Sequence, residues 1–433
     1  MIKTKIFNIH SLISQLSVIA LLVTALWPIS TIAKELRHTT LANGTDLEYT
    51  VYKAKGDTLF LWLYSDAGPQ TAEDRIAQEL VKKSIEVWRL DLFASHFLPV
   101  ARSSMDRIPK TDVSHIITLA AKQTGKKIIA LTGGRGVLPV LEGVHHWLST
   151  HKNQSALSGV ILMSPNFYVE TPEPGIKGKL LSIVQKTNAS IFILQPKKSP
   201  WYWKLDETIP ALEKSGSDVI VKRINGVRGR YYFRPDADDF EKAIAKKLPR
   251  TLKSAANYLK ALPHKYRKVS DIQSAQAKIK VGKKDRQLTP YKGNPIPAPL
   301  ILNDLNKQAF DLKQYKGQVV LVNFWASWCP PCVHEMPSMQ RIQDRFISKG
   351  FTILGVNMAE ERKTITEFLN TKVNVNFPIL LDEDGAVLKN WGVFAFPTSY
   401  IIGKKGKIRY AIVGGVDWEK ESMTSKIIQL LEE

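Results

Sequence analysis

The chain has 433 residues, 44% of them hydrophobic and 23% charged, which is enough apolar content for large cores and excludes a disordered polyelectrolyte. Its formal charge of +21 is unevenly placed: residues 298–433 hold 16 Lys+Arg against 15 Asp+Glu, residues 264–297 hold 9 against 2, and the rest of the excess lies in residues 1–263. With two cysteines in all, a disulfide framework and a four-cysteine zinc site are both excluded, and the adjacent His145 and His146 lack Cys2His2 spacing, so no metal is expected. In chain order, Lys3 and Lys5 precede a mostly apolar stretch over residues 12–27 that Pro28 breaks, with Ala33 as a small residue at the cleavage edge. Residues 1–33 therefore read as an export signal, either cleaved or kept as a membrane anchor, and both forms place the body in a bacterial periplasm. Short runs rich in Val, Ile, Leu and aromatics then predict buried strands at 59–64, 87–92, 128–131, 160–163, 191–194 and 219–224. Apolar residues at helical spacing predict helices at 72–84, 112–124, 137–148 and 207–215, followed by one or two helices over 236–262 with Pro249 as the break. This alternation predicts a mainly parallel sheet covered on both faces. Residues 264–297 are polar and basic and end in Gly293-Asn294-Pro295-Ile296-Pro297, the composition of an inter-domain linker. A second α/β unit follows over 298–433, with strands expected at 319–325, 351–356, 377–381, 399–402 and 408–413 and helices at 331–349, 364–371 and 419–431.

The chemistry lies in Asn323-Phe324-Trp325-Ala326-Ser327-Trp328-Cys329-Pro330-Pro331-Cys332. A buried strand enters a turn and a helix begins there, so the helix N-terminus favours a thiolate at Cys329. The two-residue spacing lets Cys332 attack a mixed disulfide formed on Cys329. Trp325 and Trp328 read as packing around the turn, with Trp328 partly open to substrate. Glu335, one helical turn after Cys332, reads either as a proton acceptor or as a solvated helix residue.

The FWASWCPPC run followed by Glu335-Met336-Pro337 resembles the TlpA- and ResA-like branch of the thioredoxin superfamily over about residues 298–433. That resemblance implies a thioredoxin fold and an exported thiol–disulfide oxidoreductase. In it Cys329 attacks, Cys332 resolves, Pro337 kinks the active-site helix, and no cofactor is needed beyond the Cys329–Cys332 pair. It also implies that Pro397, in Phe394-Ala395-Phe396-Pro397-Thr398, forms the cis-proline loop that receives substrate backbone with Phe396 and Trp328, and that Glu335 lines the active-site cavity. The expected partners are disulfide-containing protein substrates and a membrane electron donor of the DsbD or CcdA type. Asn323 departs from the thioredoxin pattern, which has a titratable Asp there, so another group must handle the proton of the resolving thiol. The same dithiol could also serve as an oxidase or isomerase, and a further alternative is a binding or scaffolding protein in which the N-terminal domain dominates.

Residues 34–263 resemble an α/β-hydrolase. Such enzymes carry G-x-S-x-G at a strand-to-helix elbow. Here the turn reads Thr132-Gly133-Gly134-Arg135-Gly136, so Gly134 takes the nucleophile's place, and no histidine lies between His151 and His264. The remaining nucleophile candidates, Ser103, Ser104 and Ser164 with His96, have no selecting spacing. Asp66 and Asp91, at strand ends, read as loop caps. The domain is expected to be a binding module without catalysis, in which Arg135, Arg228 and Arg230 could receive an anion. Its spread-out basic charge favours an anionic membrane surface or an acidic partner, and no nucleic-acid motif accompanies it.

Overall fold

The computed structural model describes residues 34–41, 43–263, 266–267 and 286–433; the export-signal reading and most of the basic segment lie outside the described residues. Among the described residues no helix is long and apolar enough to cross a membrane.

The front sheet contains β1 (Lys34–Thr40), β2 (Asp46–Tyr52), β3 (Thr58–Leu63), β4 (Ile85–Leu90), β5 (Lys127–Gly133), β6 (Leu157–Met163), β7 (Ser190–Lys198) and β8 (Asp218–Arg228). Its order is β1-β2-β4-β3-β5-β6-β7-β8, with β2 antiparallel to both of its neighbours and every pair from β4 to β8 parallel. The helices are α1 (Thr71–Val81), the short α2 (Leu92–Ser95), α3 (Lys110–Thr124), α4 (Val137–Thr150), α5 (Leu205–Lys214) and α6 (Asp239–Ala261). Because strand side chains alternate, β3 divides its residues between two cores. Leu59, Leu61 and Leu63 meet α3 and α4 on one face, while Phe60 and Trp62 meet α1 and α6 on the other. This double burial is why the inner strands read as unbroken apolar runs.

α6 corrects an expectation: the helix runs unbroken through Pro249. A capping box of Asp238 and Glu241 starts it, and Leu248, Leu252, Ala255, Ala256 and Leu259 seat one face on the sheet. That burial outweighs the cost of roughly 3 kcal/mol for an interior proline. The edge pair β1–β2 had no counterpart in the sequence reading, since β1 is almost wholly polar with no buried residue and β2 alternates polar with apolar residues.

The second sheet, ordered β14-β13-β12-β15-β16-β9, is built from β9 (Thr289–Pro290), β12 (Val319–Trp325), β13 (Phe351–Met358), β14 (Ile379–Asp382), β15 (Thr398–Ile402) and β16 (Ile408–Val413), beside a small hairpin of β10 (Ile301–Asn303) and β11 (Ala309–Asp311). β12, β13 and β14 are parallel, and β15, β16 and β9 are added antiparallel. The chain segment read as linker thus supplies an edge strand, β9, to this sheet. α7 (Pro330–Phe346), α8 (Arg362–Thr371) and α10 (Glu421–Glu432) cover one face and α9 (Ala386–Asn390) lies on the other. β12 again splits its side chains, with Leu321 and Trp325 in one core and Val320, Val322 and Phe324 in the other.

Candidate functional site

β12 runs out at Trp325, and Ala326–Trp328 turn the chain into α7, whose N-cap is Cys329. The turn is pinned by Glu360, a buried carboxylate that accepts from the backbone N–H and hydroxyl of Ser327 at 2.7 and 2.5 Å. Prolines at the first two helical positions suit the start of α7, where an N–H would be unpaired in any case. Cys329 and Cys332 are joined by a disulfide. Cys329 retains 5% exposure and Cys332 none, so what access the pair has lies at Cys329 while Cys332 is enclosed. Both sit at the N-terminal end of α7, where the helix dipole favours thiolate; Pro330 and Pro331 carry no N–H, and the Cys332 N–H already pairs with the Cys329 carbonyl.

Behind the pair, Glu335 is 3% exposed, which rules out the solvated-helix reading. Its Oε1 accepts from Asn323 Nδ2 at 2.8 Å and its Oε2 from the Val416 N–H at 3.2 Å. Asn323 also donates to Ser399 Oγ at 2.9 Å. Burial pushes the Glu335 carboxyl up to about 7, with the Val416 and Asn323 donors pulling in the opposite direction. The non-titrating Asn323 therefore holds the group that does titrate. Glu335 opens on a cavity of about 800 Å³ shared with Pro331, His334, Ser338 and Val416.

The Phe396–Pro397 peptide is cis, and the Pro397 carbonyl accepts from the Gly414 N–H at 2.7 Å. Trp328 is half-buried and meets Phe396 edge to face, with ring centroids 5.8 Å apart. Trp325 is fully buried packing. Ser327, Glu360 and Ser399 carry no local sequence signal, because their partners lie on other elements.

In the front sheet, Gly134 sits between β5 and α4 with φ +52°. Asp66 departs from the loop-cap reading: its carboxylate accepts from the Arg135 N–H at 3.0 Å and from Arg230 through both oxygens at 2.9 Å. A Cβ on Gly134 would lie 2.6 Å from Asp66 Oδ1, so the elbow has no room for a serine while Asp66 stays. Asp91 does cap, accepting from the Ala94 N–H. His96 pairs with Asp112 at 2.5 Å and Ser104 donates to the Pro99 carbonyl. Ser164 lines a cleft that His96 does not reach, so no displaced triad forms from these residues. Arg228 is also corrected: Glu241 and Asp236 hold its guanidinium, leaving it a structural tie and not an anion receptor. His145 is buried and His146 half-buried.

The two sheets meet around the proline loop. Phe394 stands edge-on to Tyr168 at 5.3 Å and under the Lys204 ammonium at 3.7 Å. Trp203 donates to the Met358 sulfur at 3.0 Å and packs on the second sheet's core. Asp206 pairs with Lys389, and Glu173 with Lys292.

Comparison with known proteins gives the same reading for the C-terminal region. The Redoxin family pattern matches residues 291–428. ResA of Bacillus subtilis (strain 168), a thiol–disulfide oxidoreductase, is 34% identical over 132 residues, covering 30% of this chain and 72% of that protein. ResA of Bacillus thuringiensis subsp. konkukian is 34% identical over 114 residues, covering 26% of this chain, and the match spans 65% of that relative's length. A thiol:disulfide interchange protein of the thioredoxin family from Chlorobium tepidum TLS, a solved structure, is 26% identical over 33% of this chain and 99% of its own, with a TM-score of 0.29. Through this C-terminal region, the chain belongs to the ResA-like thiol–disulfide oxidoreductases of the thioredoxin superfamily.

Proposed function

We propose that the chain is an exported dithiol reductase of protein disulfides, with residues 298–433 as the redox domain and residues 34–263 as a binding module. The observation that carries this reading is the graded pair at the start of α7: Cys329 slightly exposed, Cys332 fully enclosed, and Glu335 buried behind them. Cys329 thiolate attacks a substrate disulfide and releases one substrate thiol. Glu335 accepts the Cys332 proton, and the Cys332 thiolate displaces the second substrate thiol, leaving Cys329–Cys332 oxidised. Trp328, Phe396 and Pro397 form the docking side. A membrane electron donor of the DsbD or CcdA type re-reduces the pair, with both proteins facing the periplasm.

The filled elbow at Gly134 and the order of the parallel sheet support a hydrolase-derived module that has exchanged catalysis for binding, with an acidic partner or an anionic membrane surface as its counterpart. The test is a Cys332→Ser variant, in which Cys329 should hold its substrate as a stable mixed disulfide that mass spectrometry identifies. No trapped species, or a potential of the pair near about −120 mV, characteristic of a strong oxidant, would replace the reductase reading with that of an oxidase or isomerase.

A further inference from the structure

The cleft above Gly134 is lined in part by a residue of the redox domain. Its volume is about 200 Å³, and Arg102, Arg135, Lys198, Arg230 and Asp66 of the front sheet share its lining with Trp328, the residue preceding Cys329. Arg228 and Arg234 also reach it, but Glu241 and Asp236 neutralise them. The cations that remain are Arg102, Arg135, Lys198 and Arg230, and the lining offers them the single carboxylate of Asp66.

Asp66 shows what this cradle holds. Its side chain is 5% exposed, with Arg230 at 2.9 Å and Arg102 at 3.8 Å, and the elbow N–H of Arg135 completes the shell. One carboxylate does not saturate it. Arg135 is 6% exposed, one of its nitrogens donates to the Val169 carbonyl, and its buried Nε has no hydrogen-bond partner. Burial, and the Arg102 charge next to it, both work against the Arg135 cation and outweigh the help of Asp66, Glu170 and Asp106. A second anion entering the cleft would relieve both penalties at once.

We propose that this cleft selects the substrate of the dithiol, receiving an acidic side chain that borders the target disulfide and so placing acidic polypeptides in front of Cys329. The inference rests on the reductase reading and adds the substrate class. Trp328 belongs both to the cleft wall and to the active-site turn, so an anion held there leaves the neighbouring chain beside the attacking sulfur. The electron balance is that of the dithiol: the substrate S–S bond breaks, two thiols leave, and the Cys329–Cys332 bond forms.

The experiment uses the full chain, reduced and freed of reductant, in single turnover with three peptides that share one disulfide and differ only in flanking residues: Glu, Gln or Lys. The expected result is a Glu peptide reduced about tenfold faster than the Lys peptide at low salt, with the advantage shrinking toward parity as salt shortens the screening length. In an Arg102→Glu, Lys198→Glu double variant the Glu-to-Lys ratio should fall to one or invert; a ratio taken within one protein cancels any general loss of activity. Equal rates in the unmodified protein overturn the inference, as does a Glu preference that survives charge reversal. Phosphatidylglycerol vesicles that bind the unmodified protein and not the variant, with peptide rates all equal, would assign the cleft to a membrane surface and also overturn it. Failure to reduce even the Gln peptide removes the reductase reading itself, a different result from reduction without charge preference.

Discussion

Glu335 concentrates the chemistry of the site into one titration. Its folded-state value of about 7 lies above the ordinary 4.5, so the folded protein keeps a proton that the unfolded chain has released between those values. The associated stabilisation is fully present below pH 4.5 and is lost as pH rises through about 7, a change on the order of 3 kcal/mol. Urea unfolding should show that decline between pH 5 and 8 in the natural protein and a shallower one in Glu335→Gln, where Glu73, also pushed up to about 7 by burial, still titrates. The same variant should lose the pH inflection near 7 in the rate of mixed-disulfide resolution and slow that step by about 10²-fold. A merely structural glutamate would alter the first readout and leave the second in place. Glu335 was legible as a candidate because it follows Cys332 by one turn on a helix whose start the prolines mark. Its burial, and its tie to Asn323, depend on β12 and on the loop at Val416, which no local pattern relates to α7.

At the scale of elements, the front sheet contains a polar feature that packing alone would not keep. Arg89 on β4 is 1% exposed and pairs with Glu73 at 2.6 Å and with Asp74, both on α1. Its guanidinium lies over the rings of Trp62 and Tyr64, so the contact locks α1 to the centre of the sheet. Arg89→Ala leaves the Glu73 carboxylate, 2% exposed, without its counter-ion, and should cost about 3–5 kcal/mol in chemical denaturation. The redox site should be spared, because these residues belong to the other core. The central strands of both sheets were legible as apolar runs because each feeds two cores, whereas the edge strands β1, β2 and β9 were not. The course of α6 was not: Pro249 is a break signal locally, and the stripe that overrides it acts only once the sheet is present.

At the scale of the molecule, the fusion of two α/β units has a physical seam. Trp203 packs on the redox core and donates to Met358, and its ring lies against Gly385, a residue at φ +71° that has no side chain to obstruct it. Phe394, three residues before the cis proline, is held between Tyr168 and Lys204. The front sheet therefore grips the loop proposed to dock substrate. Trp203→Ala should weaken the seam by about 2 kcal/mol or more, as expected for a central aromatic anchor. Calorimetry would then resolve two unfolding transitions, and the intrinsic reduction of a small uncharged disulfide should persist. A single unaltered transition would show that the seam contributes little.

The sequence by itself determined the redox motif, the family of its domain, the α/β alternation of both halves and the glycine-rich turn after β5. Each of these is written in contiguous residues: a C-x-x-C at a helix start, apolar runs of strand length, and the run Gly133-Gly134-Arg135-Gly136. Only the tertiary structure decided that Glu335 is buried, that Arg228 is consumed internally, that Asp66 sits against Gly134, and that Trp328 lines the cleft above it. Those outcomes depend on partners far apart in the chain, such as Asp66 with Arg230 and Asn323 with Ser399. Burial and charge pairing are set by which surfaces meet, and spacing along the sequence does not encode that.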